Sequence, residues 1–231
     1  TLSYLPESAS CEPCADIPAL TSAVTDEAGR FELEAPAGVN VPLVVQIGKW
    51  RRKIILPHVK ACTKNPILDA ELTRLPRRHS EGTMPMMAVT SGQADSMSCF
   101  LRRLGIADDE FTAPDGAGHV HVFADCNSGP GTDGFAASLG GGDFPPVSAL
   151  YEASTLRRYD AVLFGCDDGV CPEQIPQYAE EVGRYADIGG RVFLAHSQSA
   201  WLQSGPSAWQ GLLVPRQTPQ LAPEPLRAQV D

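Results

Sequence analysis

The side chains best suited to chemistry are a thiol, two carboxylates and an imidazole: Cys166, Asp167, Asp168 and His196. The first three follow the apolar segment 159–165, and the histidine follows the segment 191–195. Short apolar segments that end in turn residues are typical of strands buried in a parallel sheet. Because ligands bind at the carboxyl ends of such strands, these residues are the candidate site.

A pairing of Cys166 with His196 would give a nucleophile and its general base. Such a nucleophile needs an exposed strand-to-helix turn, where the helix N-terminus stabilises the thiolate. In this sequence two acids follow the cysteine, and acidic neighbours oppose thiolate formation. The next helix is predicted to begin only near Pro172. We therefore favour a disulfide cysteine beside a structural histidine over a catalytic pair, and predict no confident catalytic residue.

The same carboxylates and imidazole have the ligand types of a divalent metal site. Asp125, at the end of an earlier predicted strand, would join Asp167, Asp168 and His196 in it. Adjacent acids at a strand end more often begin a loop or cap a helix. We therefore predict neither a metal site nor a cofactor, and keep these residues as candidates only.

The elements that would position this site alternate between strand and helix patterns from residue 84 to residue 205. Predicted strands cover 84–89, 120–124, 159–165 and 191–195, and predicted helices cover 94–104, 149–156 and 172–186. Gly105 and Gly189 are predicted to end the first and last of these helices. This order predicts an α/β domain with a doubly wound, flavodoxin-like parallel sheet.

Residues 1–80 show strand patterns and no helical periodicity. Two short strands are predicted around the turn 26–29, and further strands over 41–47 and 53–56, on either side of Gly48. The basic cluster 49–53 is expected to be a solvated strand face or edge. This half of the chain predicts a small β-sandwich, and residues 72–83 predict an interdomain linker.

Residues 24–33, followed by 36–38, resemble the core of carboxypeptidase regulatory-like domains. That family has a transthyretin-like β-sandwich and is common in secreted and surface proteins. The strands with which its members normally begin are not seen here, so the resemblance implies a sandwich that can be incomplete. Longer motifs resemble a set of secreted proteins of unknown function from myxobacteria; they are residues 11–14, 45–52, 73–77, 81–82, 101–106 and 110–112.

Residues 187–196 are similar to the trehalose-utilisation (ThuA-like) branch of the class I glutamine amidotransferase-like fold. In that branch a strand after a Gly-Gly turn also ends in histidine, here His196. The resemblance implies a hydrolase site at this edge of the sheet. The catalytic Gly-x-Cys-x-Gly pattern is absent around Cys166, and Ser197-Gln198 replaces the His-x-Glu continuation.

Seven cysteines indicate an oxidising compartment, and a net charge of −10 is unsuited to nucleic-acid binding. No apolar run approaches the ~20 residues that span a bilayer. Because the chain starts at Thr1, we interpret it as a fragment or processed product. We therefore predict a secreted or cell-envelope protein without nucleic-acid partners or a transmembrane segment.

The cysteine pairing stays open. Cys11, Cys14, His58 and Cys62 have the ligand types of a zinc site, but their spacing favours a disulfide from Cys62 to Cys11 or Cys14. A second disulfide would join Cys166 to Cys171, or alternatively to Cys99.

These observations predict a binding or structural protein of the cell surface without catalysis, with a carbohydrate or another surface molecule as a possible partner. The alternative is a ThuA-like hydrolase acting on carbohydrate or related small molecules through a pocket near His196. The predicted domains are residues 1–80 and 84–205, and residues 214–231 form a proline-rich tail.

Overall fold

The computed structural model describes residues 21–91, 97–124, 144–165 and 175–212, with the backbone alone for residues 196 and 197. These ranges contain a two-stranded antiparallel sheet and a five-stranded parallel sheet flanked by helices. The strands are β1 (Gly38–Ile47), β2 (Trp50–Val59), β3 (Met87–Thr90), β4 (Phe111–Thr112), β5 (Val120–Phe123), β6 (Ala161–Phe164) and β7 (Arg191–Leu194). The helices are α1 (Ala70–Thr73), α2 (Met97–Arg103), α3 (Val147–Leu150), α4 (Ala153–Leu156), α5 (Ile175–Asp187) and α6 (Trp201–Ser204).

Strands β1 and β2 form one hairpin whose register runs from Gly38 opposite Val59 to Ile47 opposite Trp50. The connecting residues are Gly48 and Lys49, and Gly48 has a φ of +54°. Two-residue hairpin loops need positive φ values, which glycine adopts without steric cost. The predicted strands on either side of Gly48 are thus confirmed, although both are longer than predicted.

The turn at residues 26–29 is also confirmed. The Asp26 carboxylate accepts backbone N–H bonds from Ala28 at 2.9 Å and from Arg30 at 2.8 Å. The strands predicted around this turn are wrong, because residues 21–37 contain no strand. Local side-chain hydrogen bonds satisfy the turn without a sheet partner. The antiparallel part that the structure describes is therefore a two-stranded sheet.

The parallel sheet has the order β4-β5-β3-β6-β7, so the α/β class is confirmed. Within this sheet the chain begins at the central strand β3, goes to the edge strand β4, returns to β5 beside β3, and then builds β6 and β7 on the other side. The change of direction places a topological switch point between β3 and β6, where open α/β sheets bind ligands. The two-residue strand β4 is not among the predicted strands.

The central strands β3 and β5 are buried at every position, as buried parallel strands should be. One face of the sheet packs against α3 to α6, with Trp201, Phe123 and Phe164 among the largest buried side chains. The other face packs against α2 and the segment that follows it. Strand β7 was predicted to be buried, which is wrong: Arg191 and Phe193 are exposed because β7 is the sheet edge.

Glycines end the two longest helices as predicted. After α2, Gly105 donates to the Arg102 carbonyl and Ile106 to the Leu101 carbonyl, and Gly105 has a φ of +98°. This is a Schellman motif, and its two apolar residues, Leu101 and Ile106, are both buried. The single helix predicted over 149–156 is two short helices, α3 and α4. Within the described ranges, no helix has the length and apolar character to cross a membrane.

The hairpin is docked on the α/β part through the residues around its turn. The Lys49 ammonium pairs with the Asp160 carboxylate, whose second oxygen accepts the Met86 N–H at 3.0 Å. Arg51 exchanges two backbone hydrogen bonds with Thr83, at 2.8 and 2.9 Å, and is only 4% exposed. The expectation that the basic cluster 49–53 is a solvated edge is therefore wrong for Arg51.

The packing of the Tyr185 ring against the residues that follow α5 can be tested by substitution of the two glycines there. A Cβ atom at Gly190 would lie 2.3 Å from the ring of Tyr185, which is 3% exposed. Gly190→Ala should lower the free energy of unfolding by about 2–3 kcal/mol in chemical denaturation. The control is Gly189→Ala, where φ is +97° but no atom lies within 4 Å; its cost should be about 1 kcal/mol. Equal costs would show that the ring does not limit this position.

Candidate functional site

The predicted site residues lie mostly outside the ranges that the structure describes. Cys166, Asp167, Asp168 and Asp125 are among them, as are Cys11, Cys14, Cys126 and Cys171. His196 begins a 3₁₀ helix, His196–Ala200, directly after β7, and its side chain is not described. The convergence of the thiol, the carboxylates and the imidazole therefore stays a prediction.

The described residues at this edge form a buried hydrogen-bonded set, here called the strand-end lock: Thr90, Gly165 and Gln198. The Gly165 N–H donates to the Thr90 hydroxyl at 2.9 Å, and the Gln198 side-chain amide donates to the Gly165 carbonyl at 3.1 Å. Thr90 is 1% exposed and Gln198 5% exposed. The lock joins the ends of β3 and β6 to the segment after β7.

The lock limits what the switch point can do chemically. Gly165 immediately precedes Cys166, and its donor and its acceptor are both engaged by protein groups. A ligand that used either backbone group would have to displace a buried hydrogen bond, which costs about 1–3 kcal/mol. The described polar groups at this edge thus stabilise the fold instead of facing a ligand.

The two described cysteines, Cys62 and Cys99, are both exposed and are not bonded to each other. The partners predicted for them, Cys11, Cys14 and Cys166, fall among the residues that are not described, so the disulfide pairing stays a prediction. Among the side chains that the structure describes, no three histidine, cysteine, aspartate or glutamate residues are placed to hold a metal ion.

The predicted linker is an ordered segment held by ion pairs. The Arg74 guanidinium binds both Glu81 carboxylate oxygens, at 2.6 and 2.9 Å, and Glu71 at 2.8 Å. The Arg77 N–H donates to Glu81 at 2.8 Å. The hydrogen bond from Arg74 is the main reason that the pKa of Glu81 falls to about 2. The Trp50 indole N–H donates to the Pro76 carbonyl at 2.7 Å, which attaches this segment to the hairpin.

Glu110 joins the same segment to the parallel sheet. It is 1% exposed, and its carboxylate accepts backbone N–H bonds from His79 at 2.8 Å and from His119 at 2.9 Å. The His79 ring contacts the same carboxylate through Nδ1 at 2.8 Å. The two histidine rings stack with centroids 4.7 Å apart. Because these contacts come from two separate segments, Glu110 fixes the position of residue 79 relative to the sheet.

A surface groove, called here the arginine groove, lies beside the contact between Glu110 and His79. Its lining residues are Arg77, Arg78, Arg102, Arg103, Gly105, Ile106, Ala107, Asp108 and Asp109. Arg102 binds both oxygens of Asp108 at 2.6 Å, and this contact is the main cause of the lowered pKa of Asp108. Arg78 binds Asp109 at 2.8 and 2.9 Å. The groove therefore combines four guanidinium groups with two carboxylates.

Sequence reasoning missed this groove because its members come from separate segments. The paired arginines at 77–78 and 102–103 and the acids at 108–109 are visible in the sequence. Nothing in their spacing shows that the first pair lies beside the second. The contact that brings them together is the Ala107 N–H bond to the Arg77 carbonyl, at 3.0 Å.

Comparison of the chain with protein families, with curated proteins and with solved structures finds no match.

The strand-end lock predicts the effect of removing one hydroxyl. Thr90→Val keeps the side-chain shape but leaves the buried Gly165 N–H without an acceptor, so the free energy of unfolding should fall by about 1–3 kcal/mol. Thr90→Ser keeps the hydroxyl and should cost about 1 kcal/mol through the lost methyl group. A Thr90→Val protein as stable as the wild type would contradict the lock.

The Arg74–Glu81 pair predicts a dependence of stability on pH. The folded pKa of Glu81, about 2, lies below its usual value of 4.5, so its contribution is complete above pH 4.5 and is lost as the pH falls towards 2. Replacement by Gln should remove about 1–2 kcal/mol at neutral pH and nearly nothing at pH 2, since the pair is partly solvent-screened. Denaturation of both proteins across this range measures the difference. A constant difference at every pH would argue against the ion pair.

Proposed function

We propose that this chain is a secreted or cell-envelope protein that binds a partner or supports a surface structure and carries out no catalysis. The observation that carries the proposal is the strand-end lock. The position where an α/β sheet would build a catalytic site is occupied, among the described residues, by buried polar groups that bond to one another.

The architecture supports a binding role in a second way. The ordered segment 69–82 and the docked hairpin hold the two sheets in contact through charged and polar side chains. Two sheets held together in this way are suited to presenting one binding surface to a partner. We infer that the parallel sheet is of flavodoxin-like type, since its longer strands follow the order of that fold. We also propose that the hairpin belongs to a carboxypeptidase regulatory-like sandwich, as the resemblance of residues 24–38 implies.

The extracytoplasmic location and the disulfides are proposed from the number of cysteines. The resemblance to secreted myxobacterial proteins, which rests on motifs spread over most of residues 1–205, supports the same location. A carbohydrate or another molecule of the cell surface is the proposed partner.

The second candidate function is a ThuA-like hydrolase, and one observation favours it. The residues that follow β6 and β7 leave the sheet at the same edge, next to the switch point. Cys166 and His196 therefore follow neighbouring strand ends. This placement is compatible with a site that uses His196, although the lock immobilises the residue before the thiol.

A turnover assay separates the two functions. We expect the purified chain to hydrolyse glutamine, aryl glycosides and aryl esters no faster than its His196→Ala and Cys166→Ser variants do. The physical reason is that the Gly165 N–H beside the thiol is bonded to the Thr90 hydroxyl and cannot donate to a developing oxyanion.

The matched control is His58→Ala, which removes an exposed histidine of the hairpin far from the switch point in the sequence. Hydrolysis that both His196→Ala and Cys166→Ser abolish, and that His58→Ala leaves intact, would overturn the proposal and establish the hydrolase.

A further inference from the structure

We propose that the arginine groove is a binding site for clustered oxyanions, that is, for a ligand carrying two or more phosphate or carboxylate groups close together. The arginine groove is formed by α2, the segment 69–82 and the residues after Gly105. Its proposed role does not depend on whether the strand ends are catalytic.

The local charge of the groove favours an anionic ligand. The whole chain carries a net charge of −10, yet four of its arginines line one groove with two acids, and Glu71, outside the lining, pairs with Arg77 at 2.8 Å. Arg103 is exposed, and among the described residues no carboxylate is paired with it. The other three arginines pair with Glu71, Asp108 and Asp109, so the groove keeps a positive excess at Arg103, and such an excess concentrates anions from solution.

The existing ion pairs of the groove are exchangeable. Asp108 and Asp109 are 60% and 62% exposed, and ion pairs in contact with solvent contribute little to stability. Arg102 already presents two nitrogens to two oxygens of one carboxylate, at 2.6 Å each. The same planar fork fits a phosphate or carboxylate of a ligand in the same way. Asp108 and Asp109 thus occupy the groove as weak internal competitors.

The backbone under the groove is fixed in the absence of a ligand. The Schellman motif at Gly105 ends α2, and the Ala107 N–H holds the Arg77 carbonyl. The Arg77 side chain crosses next to Gly105, where a Cβ atom would lie 3.8 Å from its Nε. Glu110 holds the neighbouring His79. A preorganised backbone reduces the cost of ordering on binding.

The lining also defines the chemistry of the ligand. No aromatic side chain is found among the residues that line this groove, so it offers no aromatic face on which bases or neutral sugar rings would stack. Recognition would therefore be by charge and by bidentate hydrogen bonds. A free polyphosphate and a polymer that carries acidic groups present the same chemistry, and only measurement of both distinguishes the source.

The test is a calorimetric titration of the full chain with inorganic tripolyphosphate and, separately, with polygalacturonate, at about 50 mM salt, where screening is moderate. Binding of either probe is expected, and the stronger probe identifies the source. Arg103→Glu should weaken binding about tenfold or more, because it removes one charge-assisted hydrogen bond to the probe and adds a repulsion. No hydrogen bond or ion pair of the Arg103 side chain is found among the described residues, so this variant should keep the wild-type circular dichroism and Tm.

The matched control is Arg157→Glu, which changes the same charge at another exposed arginine outside the groove and should alter affinity less than about twofold. Asp108→Asn removes an internal competitor and should strengthen binding about threefold. The proposal is overturned if neither probe binds, if Arg103→Glu and Arg157→Glu weaken binding equally, or if Asp108→Asn leaves the affinity unchanged or lower.

Discussion

The buried carboxylate of Glu110 is the contact on which the arrangement of this molecule depends most. It is 1% exposed, and it accepts hydrogen bonds from His79 on one segment and His119 on another. A buried carboxylate without partners would be strongly destabilising, so these donors are required by the fold. Because His79 follows Arg77 and Arg78 directly, the same contact determines where those two arginines lie. The arginine groove therefore depends on the buried Glu110 side chain as well as on the Ala107–Arg77 backbone bond.

The same principle explains why the hairpin and the parallel sheet stay in contact. Lys49 at the hairpin turn pairs with Asp160, and Asp160 also accepts the Met86 N–H just before β3. The segment between the two sheets is held by ion pairs among Arg74, Glu71 and Glu81. The two sheets are thus joined by a network made of the Lys49–Asp160 pair, the Arg51–Thr83 backbone bonds and the Trp50–Pro76 hydrogen bond. Such networks are more specific in geometry than isolated surface pairs, since every added contact restricts the others.

Elements with strong local signals could be predicted from the sequence. Strands β5 and β6, the hairpin turn at Gly48 and the helix ends at Gly105 and Gly189 follow from apolar runs and from glycine conformation, which act over a few residues. The absence of strands around residues 26–29 could not be predicted from local signals, because a strand also needs a partner strand. Here the turn is satisfied by local hydrogen bonds to the Asp26 carboxylate.

The strand-end edge and the arginine groove also differ in how far the sequence predicts them. The position of the strand-end edge was predictable, because it depends on which residues follow the strands. The lock was not predictable, because the residue types of Thr90 and Gln198 do not show that both bond to Gly165. The arginine groove was not predictable, because residues 77 and 103 meet only through the backbone bond from Ala107 and the burial of Glu110. A protein of strongly negative net charge also gives no hint that four arginines share one surface.

The most direct test of this account is a two-dimensional ¹H–¹⁵N NMR titration of the full chain with tripolyphosphate, because it locates the contact without a substitution. The account predicts that the largest shift changes occur at residues 77–78 and 102–109, which line the groove. Residues 90, 165 and 198 of the strand-end lock should not change. Changes concentrated at the lock, or spread evenly over exposed basic residues, would contradict the assignment of the groove as the binding surface.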